Sequence, residues 1–160
     1  MEELIARAER IGALLKERHE TIVVAESSTG GLISAALLAV PGASAYFLGG
    51  AVVYTVASRK GWLDLGELPA GMRASTQAYA LLLGRTARQR LGASWAIAET
   101  GASGPTGNRY GDAAGHSCVA VVGPAEQALT IETGKPDRFD NMRVFAAAAL
   151  DLFARSLAQG

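Results

Sequence analysis

Thiols are almost absent: Cys118 is the single cysteine in 160 residues, so no intrachain disulfide can form. It lies inside the apolar run 116–122, which points to a buried core thiol. Histidine is nearly as scarce. His19 and His116 stand far apart with no cysteine nearby, so metal-ligand spacing is missing and no metal site is expected. An excess of one charge is also missing. With 15 basic against 15 acidic residues, the totals leave no electrostatic footprint for nucleic acid or an anionic membrane. No apolar stretch reaches the roughly 18–20 residues of a membrane span. The chain opens Met1-Glu2-Glu3 and goes on alternating charged with apolar residues, unlike a signal peptide. These absences predict a soluble, cytoplasmic protein with no nucleic-acid or membrane partner. Aromatics are sparse at 6%, whereas hydrophobic residues reach 49% and glycines number 19. Small residues leave flat, poorly sealed apolar surface, which a homo-oligomer would bury.

What is present reads as one α/β domain. Leu4, Ile5, Ala8, Ile11, Leu14 and Leu15 recur at helical spacing and predict an amphipathic helix over 3–18. A strand over 21–26 and a helix over 31–39 follow, then a turn at Val40-Pro41-Gly42-Ala43-Ser44. Tyr46 to Thr55 is apolar and β-branched and predicts a strand, kinked at Gly49-Gly50. Residues 56–63 predict a short helix. Ser75 is the expected N-cap of a long helix reaching Leu91, with Gly92 closing it. Ser94 to Glu99 predicts a strand, and Thr100 to Gly115 a long loop. Strands over 116–122 and 127–133 meet at Gly123-Pro124, and a last helix covers 137–157. Helices between the early strands favour parallel pairing, while the late hairpin has to be antiparallel. The expected fold is a three-layer α/β/α sandwich on a mixed sheet.

The most informative stretch is Ala25-Glu26-Ser27-Ser28-Thr29-Gly30-Gly31, between a predicted strand and a predicted helix. Hydroxyls and glycines at such a junction suit an anion, a developing oxyanion, or an exposed serine nucleophile. They equally suit a plain helix cap. Tyr54 with Arg59 and Lys60 follows the second strand, and Thr100-Gly101-Ala102-Ser103-Gly104-Pro105 follows the third. All three segments fall where open α/β sheets bind ligands. None is a P-loop, a dinucleotide fingerprint or a G-x-S-x-G elbow. With neither histidine suitably placed, a serine nucleophile here needs a lysine or tyrosine as its base.

In combination these segments resemble the C-terminal domain of the competence/damage-inducible protein CinA family, whose active members are nicotinamide-nucleotide amidases. The other marks are Val40-Pro41-Gly42-Ala43-Ser44-Ala45-Tyr46-Phe47 and Gly49-Gly50-Ala51-Val52-Val53-Tyr54. The resemblance implies hydrolysis of nicotinamide mononucleotide, a small-molecule nucleotide substrate, to nicotinic acid mononucleotide and ammonia, without metal or cofactor. It implies Ser27 as nucleophile and Tyr54 as an aid to proton transfer. Amides around Thr29, Gly30 and Gly31 would stabilise the oxyanion. Thr100, Gly101, Ser103 and Gly104 would hold the nucleotide near its phosphate, and Arg138 matches a family arginine. Two positions depart from the family pattern. Ser28 stands where cysteine is usual. Arg59 stands five residues beyond Tyr54, where the family carries its activating lysine, and a lysine comes one place later as Lys60. Arginine keeps its proton and cannot accept one from serine. One residue along a helix is a rotation of about 100°, so Lys60 reaches the serine only through a shifted backbone register. The alternative that Arg59 raises is an inactive family member that binds a nucleotide or a small anion.

Overall fold

A computed structural model describes all 160 residues. The elements are α1 (Glu2–Arg18), β1 (Ile22–Glu26), α2 (Leu32–Leu38), β2 (Phe47–Val52), α3 (Val56–Leu63), α4 (Gln77–Leu91), β3 (Trp95–Ala102), β4 (His116–Val122), β5 (Glu126–Glu132) and α5 (Arg138–Ala158), with a short 3-10 turn at Ala43–Ala45. The sheet runs β2-β1-β3-β4-β5. β1 is parallel to both β2 and β3, and β4 and β5 continue the sheet antiparallel. The mixed sheet with helices on both faces is the sandwich the sequence predicts.

Period-two alternation divides the core. Ile22, Val24, Trp95, Ile97, Val119 and Val121 face α1, α2 and α5. Val23, Ala25, Ala96, Ala98 and Val122 face α3 and α4. On α1 the stripe Leu4, Ala8, Ile11 and Leu15 is at most 2% exposed. It packs against Ala146, Ala149, Leu150 and Phe153 of α5 in the same cluster, where alanines let the two helices approach closely. Trp95 meets Phe153 edge-on at 5.6 Å between ring centroids. Fully burying each large side chain of this kind contributes about 1.5–3 kcal/mol.

Three of the boundary differences from the sequence reading bear on the site. β2 stops at Val52, because its partner β1 ends at Glu26. β3 runs on through Thr100, Gly101 and Ala102, which pair with Cys118, Ser117 and His116 of β4; the loop therefore begins at Ser103. Gly101 permits that pairing, since a Cβ there would sit 2.5 Å from the His116 carbonyl oxygen. The N-cap of α4 is Thr76, not Ser75. Thr76 has extended backbone and its side chain accepts from the Tyr79 N–H at 3.2 Å. Ser75 instead sits at φ +60° and donates its N–H to Thr100 Oγ1.

Parallel pairing brings the ends of β1, β2 and β3 to one edge of the sheet. The start of β4 and the end of β5 reach the same edge, because His116 lies opposite both Ala102 and Glu132. No helix is long and apolar enough to cross a membrane. Thr76→Ala should lower the unfolding free energy by about 1 kcal/mol in urea denaturation. An equal or larger loss from Ser75→Ala would contradict the cap assignment.

Candidate active site

Two buried carboxyl groups shape the Ser27 junction. Glu26, the last residue of β1, is fully buried and turns its carboxylate onto the start of α2. It accepts from the N–H groups of Gly31, Ile33 and Ser34 at 2.9, 3.2 and 3.0 Å, and from the hydroxyls of Thr29 and Ser34. A negative charge is favoured at a helix N-terminus, and here the chain supplies its own. Glu99 on β3, also fully buried, accepts from the N–H groups of Ser27 and Thr29 at 3.0 and 2.9 Å. It also takes the hydroxyls of Ser28 and Ser117 and lies 3.0 Å from that of Thr29, whose one proton is nearer Glu26 at 2.6 Å. Burial pushes the Glu99 carboxyl above the usual range, against the lowering effect of the Ser28 hydroxyl, the Thr29 amide and the other donors.

This geometry corrects the expected oxyanion donors. The Thr29 and Gly31 N–H groups are committed to Glu99 and Glu26, and that of Gly30 to the Ser27 carbonyl at 3.1 Å. Between Ser27 and Ser34 the one amide without a protein acceptor is that of Ser28. Ser28 is itself buried, its hydroxyl held by Glu99. Ser27 is half-buried, and its hydroxyl makes no hydrogen bond within the protein.

Ser27 lines a cavity of about 390 Å³ with Tyr54, Arg59, Thr100, Arg109 and Tyr110. Next to it, a second cavity of about 290 Å³ is lined by Ser28, Ser103, Gly104, Gly107 and Arg138. Tyr54, Gly101 and Asn108 line both. Arg138 joins the second cavity to Tyr54, with Nη2 donating to the Tyr54 hydroxyl at 3.3 Å and Nη1 to the Gly104 carbonyl. The amides of Ser103, Gly104, Thr106 and Gly107 meet no protein acceptor. Gly104 at φ +110° has no room for a side chain, since a Cβ would come within 2.5 Å of the Pro136 carbonyl oxygen. A larger hollow of about 490 Å³ lies between α1 and the start of α5. It shares no residue with these cavities and holds the Arg7–Asp151 ion pair.

Neither Arg59 nor Lys60 offers Ser27 a base in this geometry. Arg59 is 8% exposed. Its Nε donates to the Leu65 carbonyl at 3.0 Å and its Nη2 to the Gly66 carbonyl at 2.8 Å. Lys60 is exposed and lines neither cavity. α3 runs regularly from a capping box at Thr55 and Ser58, so no bulge shifts Lys60 into the place of Arg59, and the helical rotation turns it to solvent. The register shift that would bring Lys60 to Ser27 is not present in this structure.

Sequence reasoning missed Glu99, Asn108, Arg109, Tyr110 and the Ser75–His116 contact. One signal for Glu99 was available: it is a lone charge closing the apolar strand Trp95-Ala96-Ile97-Ala98. The loop 103–115 is held by Asp112, which accepts two N–H groups of Arg73 at 2.8 and 3.2 Å and the Asn108 amide at 2.8 Å. Arg73 keeps the Asp112 carboxyl below its usual range. Tyr110 lies between Arg73 and Arg109, each 5.0 Å from its ring. His116 meets two acceptors, the Glu132 carboxylate and, at 2.8 Å, the Ser75 carbonyl. Two acceptors of this kind favour the form with both ring nitrogens protonated. Burial alone would lower its pKa, but the bonds to Glu132 and Ser75 and the nearby Asp112 raise it. Cys118 is buried, as expected of a core thiol.

Residues 5–157 match the family model of the CinA C-terminal domain. The chain belongs to that family. A CinA-like protein of Prochlorococcus marinus (strain MIT 9313) is 44% identical over 112 residues, covering 69% of this chain and 26% of the relative. A CinA-like protein of Salinibacter ruber (strain DSM 13855 / M31) is 35% identical over 150 residues, covering 92% and 36%. The chain thus spans about a quarter to a third of the curated relatives' length. Among solved structures, the competence/damage inducible protein CihA from Agrobacterium tumefaciens superposes with a TM-score of 0.88 at 27% identity, covering 98% of this chain and 96% of that one. A CinA superfamily protein from Klebsiella pneumoniae 700603 gives 0.89 at 23% identity, with 98% and 99% covered, a likeness of fold.

Because its folded-state pKa is raised, Glu99 contributes stability that is present in acid and lost as pH rises through that value. Glu99→Gln keeps an acceptor for the two amides and carries no charge. In urea denaturation across a pH series, the wild type should weaken toward alkaline pH and Glu99→Gln should weaken less. Parallel curves would show that Glu99 does not titrate in the folded state.

Proposed function

We propose that the chain is a serine amidohydrolase that takes a pyridine nucleotide, nicotinamide mononucleotide foremost, and hydrolyses its carboxamide to the acid and ammonia. The observation that carries this reading is the meeting of two cavities at Ser27 and Ser28. One offers an unbonded serine hydroxyl beside aromatic walls, and the other offers free loop amides with Arg138. A planar carboxamide ring suits the first, and a phosphate suits the second. Membership of the CinA C-terminal domain family supports the reaction class that the resemblance implies.

In this reading Ser27 Oγ bonds to the carboxamide carbon. Tyr54 passes the serine proton to the leaving nitrogen, which departs as ammonia when the C–N bond breaks. Water then cleaves the acyl-serine, leaving the carboxylic acid and restoring the hydroxyl. The Ser28 N–H, next to the nucleophile, is the oxyanion donor, a role worth roughly 3–4 kcal/mol in other enzymes. Thr100 and Gly101 wall the ring end, and Ser103, Gly104 and Arg138 hold the phosphate. Such an activity belongs to pyridine nucleotide salvage. The exposed Leu48 and Val52 on the edge strand β2 support a homo-oligomer.

A second reading, an inactive family member that binds the nucleotide, is favoured by one observation. Arg59 is tied to two carbonyls and Lys60 points away, so no lysine serves Ser27. Purified protein given nicotinamide mononucleotide should release ammonia, and Ser27→Ala should cut the rate at least ~100-fold. Nucleotide binding without ammonia release would replace the first reading with the second.

A further inference from the structure

Arg59 is a buried charge without a counter-ion. It is 8% exposed and lines the Ser27 cavity, but it forms no ion pair. Its two bonded groups go to carbonyls, which do not neutralise it, and Nη1 has no partner in the protein. Buried charges are ordinarily paired, because an unpaired one bears its desolvation cost alone. The rest of the lining does not offset it. The cavity has a second guanidinium, Arg109, and no aspartate or glutamate. Of the acids around it, Glu99 is engaged by Ser27, Ser28 and Thr29, Asp112 by Arg73 and Glu132 by His116. Tyr79 lies 5.9 Å from the Arg59 guanidinium, and Tyr110 carries Arg109, so both cations are held against rings that line the cavity.

We propose that the Ser27 cavity binds a carboxylate on Arg59 and Arg109, so that the site prefers the carboxylate form of a pyridine nucleotide to its carboxamide. This rests on reading the site as a pyridine-nucleotide pocket. The N-glycosylated pyridine ring is a cation. With a carboxamide, the ring end stays positive and faces two guanidiniums. With a carboxylate, it is neutral overall and presents two charged oxygens, one for the free Nη1 of Arg59 and one for the Arg109 guanidinium. Arg59 and Arg109 are then specificity-determining residues. In an active protein they retain the product, and in an inactive one they select the ligand.

The test is calorimetric titration of the Ser27→Ala protein, which cannot consume the amide, with nicotinic acid mononucleotide and with nicotinamide mononucleotide. The acid should bind at least ~10-fold tighter. Arg59→Gln should erase that preference and Arg59→Lys should keep most of it. Arg109→Ala, a change at an exposed side chain, should weaken the acid and spare the amide. Equal or tighter binding of the amide overturns the proposal without recourse to any arginine variant, so a misfolded Arg59→Gln leaves it decidable. Ammonia release by the wild type with no acid preference sinks this inference and leaves the amidase standing. Acid preference without ammonia release does the reverse. Failure of both nucleotides to bind overturns both.

Discussion

The hydrogen bonds that Glu99 receives from Ser27 and Thr29 tie the third strand to the strand–helix junction holding the candidate nucleophile. Glu26 makes a complementary tie from the junction to α2. Thr29 stands between the two carboxyls, its hydroxyl 2.6 Å from one and 3.0 Å from the other. Taking two acids out of water is costly unless their oxygens are satisfied, and here both oxygens of each carboxyl have partners. The junction is therefore held from both sides. Ser27 is the hydroxyl in its Ser-Ser-Thr run that these acids leave free.

That arrangement explains which parts of the molecule were legible in the sequence. The periodic stripes of α1, the alternation of β1 and β3, and the hairpin at Gly123-Pro124 all reflect burial, which side-chain type reports directly. The order of elements and the mixed sheet followed from them. The N–H groups at Thr29 and Gly31 were legible as helix-terminal donors, but their acceptors were not. Glu26 and Glu99 read as ordinary acids until the sheet places one beneath the helix and the other across from Ser27. Ser75 was mistaken for a cap because its hydroxyl type fits. Its left-handed backbone and its bond to Thr100 depend on β3 continuing past Glu99.

Arg59 shows how one side chain sets the chemistry of a pocket and also holds its frame. A lysine at this place would carry one flexible ammonium. The arginine reaches the backbone of Leu65 and Gly66, fixes the segment after α3, and still leaves its charge at the cavity wall. The same side chain is thus part of the scaffold and part of the binding surface. The fold is shared with the solved relatives to its last helix, and the two guanidiniums set the charge of the cavity beside Ser27.

The β4–β5 hairpin carries a consequence of another kind. It leaves the site at His116 and returns to it at Glu132, so the chain makes a round trip before α5 begins. Its tip at Pro124 and Ala125 is exposed and lies at the far end of the sheet. Length changes or an inserted module at that tip would leave both cavities' walls in register. The hairpin thus separates where this fold can vary from where it does its chemistry.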